Sequence, residues 1–163
     1  MNLSFSTRGW QDRPWETWLD WAETMRFGGV ELYNVQSCPQ LTDRGGPLHK
    51  YSAAATVRAL REKNICIPCL GSSCDLTDAA VHAALQALLG EAEAAGVTIL
   101  LKTSGIYADT ARLRALLDAF ACDGLGALWD MHHPYRDHGE SADTTIKNLG
   151  AYVRHVHLRD SEN

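Results

Sequence analysis

The sequence predicts an α/β fold with about six parallel strands, each separated from the next by a helix. Short apolar runs alternate with amphipathic helical segments along the chain, a pattern typical of βα units. The segments between the runs are long enough for helical crossovers, and such crossovers imply parallel pairing. Six units in 163 residues fit either an open doubly wound sheet or an incomplete barrel, because a complete barrel takes roughly 250 residues.

The apolar runs and the helical segments set the order of the elements. The expected strands are 2–6, 30–33, 65–70, 97–101, 125–130 and 153–158. The expected helices are 14–27, 52–63, a third from 77 or 78 to Gly96, a fourth that follows the cap Asp109, and 144–152. We also expect Asp12 and Ser52 to cap the first two helices, because short polar side chains accept hydrogen bonds from free N–H groups there. Gly28 and Gly29 are expected to end the first helix, since glycine takes the left-handed turn.

Composition and charge narrow the function classes. The chain has 163 residues, 45% hydrophobic and 21% charged, which is ordinary for a single soluble globular domain spanning 1–163. Its apolar runs fall short of the ~18 residues that span a bilayer. The start MNLSFSTRGW lacks the basic and apolar regions of a secretory signal, so we expect a cytoplasmic protein with no membrane partner. The formal net charge of −5 argues against a nucleic-acid partner, because phosphates need a basic surface.

The five cysteines form an odd count, which suggests free thiols in a reducing compartment. Cys66 and Cys69 form a CxxC, a spacing used by zinc sites and by redox centres. A structural zinc site would need a second pair of ligands, and a redox CxxC usually opens a helix rather than lying within a strand. We therefore expect buried and inert cysteines here.

Ionisable residues gather where the expected strands end, which is the edge at which α/β folds bind ligands. Burying such groups without partners costs several kcal/mol, and a shared cation would relieve that cost. The residues at these strand ends are Glu31 and Tyr33, then Lys102, then Asp130 and His133, and then His155, His157 and Arg159.

The spacing within the last strand sharpens this expectation. His155, His157 and Arg159 fall on one face, because side chains alternate along a strand. Aspartate and neutral histidine are ordinary ligands of zinc and manganese, so Asp130 and His157 are the expected metal ligands. A hydrogen-bonded structural role for the same side chains is an equal alternative.

Two residues of the first half complete the candidate set. Glu31 lies on the inward face of its strand, where a buried carboxylate is a catalytic candidate. Trp10 follows the first strand, where an aromatic ring would stack against a sugar. Plain packing is the alternative for Trp10.

Five segments, in order along the chain, resemble the xylose isomerase-like TIM barrels: LSFSTRGW, GGVELYN, CLGSSCDL, GALWDMHHPYR and HVHLRDS. That superfamily contains sugar isomerases and epimerases and inosose dehydratases, and apurinic endonucleases share its fold. The resemblance implies an incomplete (β/α) TIM-type barrel with about six parallel strands and outer helices. One strand between Asp75 and Val97 and the eighth strand, beyond Asn163, would be missing.

The resemblance also implies a metal held by a Glu, an Asp, a His and a second Glu at the ends of strands five to eight. Asp130 matches the Asp, His157 matches the His, and His133 matches a substrate-contacting histidine. Lys102 stands at the position of the first Glu, and its ammonium repels a cation. The implied cofactor, a divalent Mn, Zn, Co or Mg ion, is therefore expected to be weakly bound or absent.

The expected function is that of a divalent-metal-dependent isomerase or epimerase acting on a small keto sugar or polyol by proton transfer next to a carbonyl. Its expected catalytic residues are Glu31 and Lys102, and its expected substrate-binding residues are Trp10, His133, His155 and Arg159. Because Lys102 replaces the expected Glu, a non-catalytic fragment or relict of such a barrel is one alternative. An apurinic endonuclease-like nuclease is another. Open sheet edges left by the missing strands would favour a homo-oligomer.

Overall fold

A computed structural model describes residues 2–10, 12–33, 41–71 and 78–159 of the chain. The chain divides into two compact units, Met1–Cys74 and Asp75–Asn163. Both contain parallel strands connected by helices, so the predicted α/β class is confirmed. The single domain expected from the sequence stays a prediction. Among the described helices, none has the length and apolar character needed to cross a membrane.

The first unit is built around a parallel strand pair. Strand β1 (Ser4–Ser6) pairs with β2 (Gly29–Glu31), and helix α1 (Trp15–Thr24) connects them. Helix α2 (Ala53–Glu62) follows. The buried face of α1 packs on β2 in a core formed by Trp15, Trp18, Leu19, Ala22, Val30, Leu32 and Ile65.

The strand expected at 65–70 is reduced to two isolated parallel bridges, Gly29 with Cys66 and Leu32 with Leu70. The Cys66 backbone N–H donates to the Gly28 carbonyl at 3.0 Å. The next donor on that side of the segment would be residue 68, but Pro68 has no N–H. A proline within the apolar run therefore interrupts the ladder that its neighbours would continue.

The first helix differs from its expected ends. Pro14 occupies the N-cap position of α1, and the described helix start shows no side-chain cap, so the role expected for Asp12 is wrong. The helix also ends before Gly28. Arg26 takes the left-handed conformation at φ 59°, and the N–H of Phe27 donates to the Ala22 carbonyl at 2.8 Å. This is a Schellman ending, in which the apolar residue after the left-handed one packs back onto the helix.

The second unit carries a three-stranded parallel sheet in the order β3, β4, β5. Its first helix covers an interval in which the described residues form no strand, as expected for a missing βα unit. The elements are α3 (Asp78–Ala94), β3 (Ile99–Lys102), a short 3₁₀ turn (Gly105–Ala108), α4 (Thr110–Phe120), β4 (Leu125–Asp130), α5 (His132–His138), α6 (Ala142–Leu149) and β5 (Val153–His157).

Helix α5 was not expected from the sequence, which placed His133 at the end of a strand. The structure starts a helix there instead. Pro134 suits a first helical turn, and Gly139 ends the helix in the left-handed conformation at φ 68°. Both residues are visible in the sequence. The helix begins directly after an apolar strand, so the change from strand to helix spacing is hard to recognise there.

The core of the second unit lies between its sheet and its helices. It is formed by Val81, Leu85, Leu101, Tyr107, Leu113, Leu116, Leu117, Leu125, Ala127 and Leu149. On α3, Leu88 is 53% exposed, whereas Leu89 packs against the core. The buried row of α3 therefore advances in steps of four residues, from Val81 to Leu85 to Leu89. Each fully buried leucine stabilises the fold by roughly 1.5–3 kcal/mol.

Removing the N-cap side chain of α4 would measure how much this cap stabilises the second unit. The Asp109 carboxylate accepts hydrogen bonds from the backbone N–H groups of Ala111 at 3.1 Å and Arg112 at 3.3 Å. Asp109→Ala should lower the free energy of unfolding by about 1 kcal/mol, measured by urea denaturation. Ser52→Ala is the matched control, because Ser52 holds the N-cap of α2 without a side-chain hydrogen bond to that described helix start. Equal losses in the two variants would contradict this account.

Candidate active site

Asp130 ends β4, and its side chain is fully buried. The Thr103 hydroxyl fixes its backbone from the neighbouring chain segment: it accepts from the Asp130 N–H at 2.9 Å and donates to the Asp130 carbonyl at 3.1 Å. The Thr103 N–H donates to the Leu128 carbonyl at 3.0 Å, which extends the pairing of β3 and β4 by one residue. The carboxylate is thereby held at the carboxyl edge of the sheet.

Two cationic side chains reach this carboxylate from the flanking strands. Lys102, the last residue of β3, places its Nζ 2.8 Å from Asp130 Oδ2. Arg159, just after β5, donates from Nε to Asp130 Oδ1 at 3.0 Å. The backbone N–H of His132 donates to the same oxygen at 3.2 Å. Both carboxylate oxygens therefore face positive or donor groups of the protein itself.

The charges of these partners decide the ionisation of Asp130. Burial of the carboxyl raises its pKa, but the hydrogen bond and charge of Lys102, followed by those of Arg159, outweigh burial and lower the pKa below its ordinary value. Asp130 is therefore ionised at neutral pH, and its negative charge is balanced inside the unit.

His133 lies beside this ion pair, in the first turn of α5. Its Nε2 is 3.8 Å from Asp130 Oδ2, and the Arg159 guanidinium forms a hydrogen bond with the same nitrogen. Its Nδ1 is 2.6 Å from a carboxylate oxygen of Asp137, one helical turn further on. Both ring nitrogens therefore have a partner, and the ring is oriented from two sides.

His155 and His157 occupy alternate positions of β5, with ring centroids 5.3 Å apart. Both are half-buried, whereas Val156 between them is exposed, so the expected alternation is observed. His157 is the register partner of Asp130, and its carbonyl accepts from the Met131 N–H at 3.2 Å. The strand thus brings its histidines to the same sheet edge as Asp130.

The donor set does not fit the divalent ion that the resemblance implies. A metal would have to approach Asp130 past an ammonium and a guanidinium that lie 2.8 and 3.0 Å from its two oxygens. Like charges at about 4 Å repel by about 4 kcal/mol at the effective dielectric of a protein surface. Asp130 in this arrangement is paired with two protein cations, which does not favour a metal ion at its carboxylate. The metal-ligand roles expected for Asp130 and His157 stay predictions.

Glu31 and Trp10 belong to the first unit. Glu31 is buried, and its carboxylate accepts a hydrogen bond from the Ser6 hydroxyl at 3.0 Å. Trp10 is 48% exposed and packs edge-on against Trp21, with ring centroids 5.5 Å apart. The catalytic role of Glu31 and the substrate-binding role of Trp10 stay predictions.

The cysteines follow their expected chemistry in part. Burial, and next the charge of Glu31, raise the pKa of Cys69 to about 11, so this thiol is protonated and unreactive. Cys66 is exposed, which corrects the expectation that both CxxC cysteines are buried. Its segment is a pair of bridges rather than a central strand. Cys38 and Cys74 lie outside the described residues.

Sequence reasoning gave no role to two residues of this site, Thr103, which it placed only among the polar residues at a strand end, and Asp137. Thr103 acts through its hydroxyl on the backbone of another strand, a contact without a signature in the sequence. Asp137 lies four residues after His133, a spacing that places two side chains next to each other only within a helix. Because no helix was expected at these positions, the spacing of four residues did not predict a contact between the two side chains.

Comparison with known proteins supports the fold. No family model matches the sequence. No curated protein matches it either. A solved structure from Bacillus anthracis, described as the probable 3-DHS dehydratase AsbF involved in petrobactin synthesis, is similar with a TM-score of 0.72 at 14% identity. The similarity covers 97% of this chain and 73% of that one.

AsbF is a xylose isomerase-like TIM barrel, and the chain shares that fold in an incomplete, TIM-type α/β form. The fold predicted from the resemblance of short segments is therefore confirmed. At 14% identity the similarity concerns the fold, and the site has to be interpreted from its own residues.

The lowered pKa of Asp130 predicts a pH dependence of stability. A carboxyl with a lower pKa in the folded state stabilises the fold above its unfolded pKa of about 3.9, and this contribution is lost as the pH falls through the folded value. The free energy of unfolding of the wild type, minus that of Asp130→Asn, should therefore decrease as the pH is lowered below about 4. Urea titrations at a series of pH values would measure it. Asp123→Asn, at an exposed carboxyl, is the control; a flat difference for Asp130→Asn would contradict the ion pairing.

Proposed function

We propose that this chain acts on a small keto sugar or polyol and transfers a proton next to a carbonyl, with protein cations in place of a divalent metal. The observation that carries this proposal is the meeting of Lys102, Arg159 and His133 around the fully buried Asp130. Such clusters of charged groups at the carboxyl edge of a sheet are typical of active sites.

The cations supply what this reaction needs. Removal of a proton next to a carbonyl leaves negative charge on the carbonyl oxygen, which fixed positive donors stabilise. The side chains of Lys102 and Arg159 are 24% and 42% exposed, so both reach solvent and a bound molecule. An ammonium has three N–H donors and a guanidinium has five, so pairing with Asp130 leaves donors for a substrate oxygen.

His133 is the proton acceptor in this proposal. Imidazole is the side chain most often used for acid–base catalysis near neutral pH, and His133 lies within the same group of charges. The carbon–hydrogen bond breaks, the proton moves to the ring nitrogen, and the electron pair passes to the carbonyl oxygen beside Lys102. The sequence had assigned His133 to substrate contact, and the proposal keeps that contact and adds proton transfer.

The similar structure is compatible with this chemistry. AsbF is described as a probable 3-DHS dehydratase, and a dehydration next to a carbonyl can start with the same proton removal. An isomerase, an epimerase and a dehydratase share that first step and differ in the second. The ion pairs are also compatible with a non-catalytic relict that keeps the fold. Measuring proton exchange distinguishes an active enzyme from such a relict.

Exchange with deuterated solvent tests the proposal directly. In D₂O, the wild type should replace the hydrogen next to the carbonyl in at least one member of a panel of small ketoses and hydroxy ketones. The measurement is the loss of that proton signal by ¹H NMR. Lys102→Met should slow the exchange by roughly 100-fold, the usual loss on removing one donor to a developing oxyanion.

Lys147→Met is the matched control, because Lys147 is an exposed lysine on α6. It should exchange at the wild-type rate. Failure of the wild type to exchange any member of the panel would support the relict instead.

Metal-binding measurements test whether Lys102 and Arg159 take the place of a divalent metal ion. The wild type should bind less than stoichiometric Mn²⁺, because Lys102 and Arg159 already neutralise Asp130. Lys102→Glu places a second carboxylate beside Asp130 and should raise the affinity for Mn²⁺ by about tenfold or more, equivalent to at least about 1.4 kcal/mol. Titration followed by the electron paramagnetic resonance of free Mn²⁺ measures the affinity.

Lys147→Glu makes the same change of charge on an exposed surface and should leave the affinity unchanged. Stoichiometric binding by the wild type would restore the metal-dependent enzyme expected from the sequence.

A further inference from the structure

We propose that Asp137 is a positioning residue, which holds a proton of the His133 ring on Nδ1 and so presents Nε2 to the substrate. The contact that carries this is the 2.6 Å hydrogen bond between His133 Nδ1 and Asp137 Oδ2. Its consequence for catalysis rests on the proposed function, whereas the state of the ring is a property of the free protein.

The contact at Nδ1 determines which partner donates. An aspartate carboxyl with the ordinary pKa of 3.8 is already ionised at neutral pH, and the hydrogen bond with His133 lowers the pKa of Asp137 further. An ionised carboxylate accepts hydrogen bonds and has no proton to donate. The proton of this hydrogen bond is therefore on Nδ1 of His133.

The contact at the other nitrogen leads to the same tautomer independently. The Arg159 guanidinium forms a hydrogen bond with His133 Nε2. A guanidinium donates and does not accept, so Nε2 has to present its lone pair. Two partners on opposite sides of the ring thus require one arrangement, with the proton on Nδ1 and a lone pair on Nε2 that accepts from Arg159.

Helix α5 holds His133 and Asp137 in contact. His133 and Asp137 are four residues apart on α5, so their side chains lie next to each other on the helix surface. The side chain of His133 is 23% exposed and that of Asp137 is 48% exposed, so the histidine lies deeper than its carboxylate partner. The carboxylate approaches the ring from the more exposed side, and Nε2 faces Asp130 and Arg159.

This arrangement prepares His133 to take a proton. A substrate that displaces the guanidinium from Nε2 meets an unprotonated nitrogen, and the freed N–H groups of Arg159 can contact the substrate oxygen. The new N–H bond converts the ring to imidazolium, whose charge the Asp137 carboxylate stabilises, as the buried aspartate does in a serine protease triad. Asp137 acts through His133 and does not itself contact the substrate.

Nitrogen NMR of the full-length protein labelled with ¹⁵N-histidine tests the arrangement without a substrate. The chain has seven histidines, and the signals of His133 are identified by their absence in His133→Gln. The wild type should show a protonated Nδ1 and an unprotonated Nε2. A ring protonated on Nε2 alone, or on both nitrogens, would overturn the proposal.

Variants of Asp137 separate positioning from mere packing. Asp137→Leu should release the ring into a mixture of tautomers, whereas Asp137→Asn should retain the Nδ1 proton, because the amide oxygen still accepts a hydrogen bond. Asp143→Leu, at an exposed carboxylate of α6, is the control and should leave the His133 signals unchanged. Unchanged tautomer populations in Asp137→Leu would show that Arg159 alone sets the ring and would reject the role of Asp137.

Kinetics then distinguish this inference from the proposed function. With a compound that the wild type exchanges, Asp137→Leu should lower kcat by about tenfold or more with little change in KM, and Asp137→Asn should recover part of the loss. If the tautomer is as stated and no compound is exchanged, the proposed function fails while the positioning of the ring stands. If exchange occurs with kcat unchanged in Asp137→Leu, the positioning role fails and the proposed function stands.

Discussion

The site depends on the neutralisation of one buried carboxylate. Asp130 is withdrawn completely from water, and an ionised carboxylate without partners would cost several kcal/mol there. The parallel sheet offsets this cost, because Lys102 ends the strand on one side of β4 and Arg159 follows the strand on the other side. Lys102 arrives from one side and Arg159 from the other, and the Thr103 hydroxyl fixes the backbone between them. The positions of His133 and His157 follow from the same convergence.

The ion pairs around Asp130 fix the positions of the charged side chains more than they stabilise the fold. Replacing a buried ion pair by apolar residues is often neutral or stabilising, so the pairs around Asp130 are weak evidence for stabilisation of the fold. They do hold two positive charges in fixed positions, where only part of each side chain reaches water. Fixed charges stabilise developing negative charge without the reorganisation that water requires. The ion network is thus better suited to chemistry than to packing.

The sequence predicted the elements whose signals are local and strong. Strand β4 was expected at its observed limits, and Asp109 caps α4 as expected, because an apolar run and a short polar cap each depend on neighbouring residues. Predictions failed where one residue opposed its surroundings. Pro68 interrupts a strand, and Arg26 takes the left-handed turn expected of a glycine. In elements this short, one such residue is enough to move an end or interrupt the hydrogen bonding.

The candidate site shows the same division between local and distant information. That ionisable residues gather at the strand ends followed from the topology of parallel sheets, and the sequence identified Lys102, Asp130, His133 and Arg159 on that basis. The pairing among them could not be inferred in the same way. A carboxylate that pairs with an ammonium and one that binds a metal have the same neighbours along the chain. The residue that decides between the two, Lys102, ends a different strand. With a carboxylate at position 102, the edge of the sheet would attract a cation. With Lys102, the edge carries its own positive charge, and the proposed proton transfer without a metal depends on that difference.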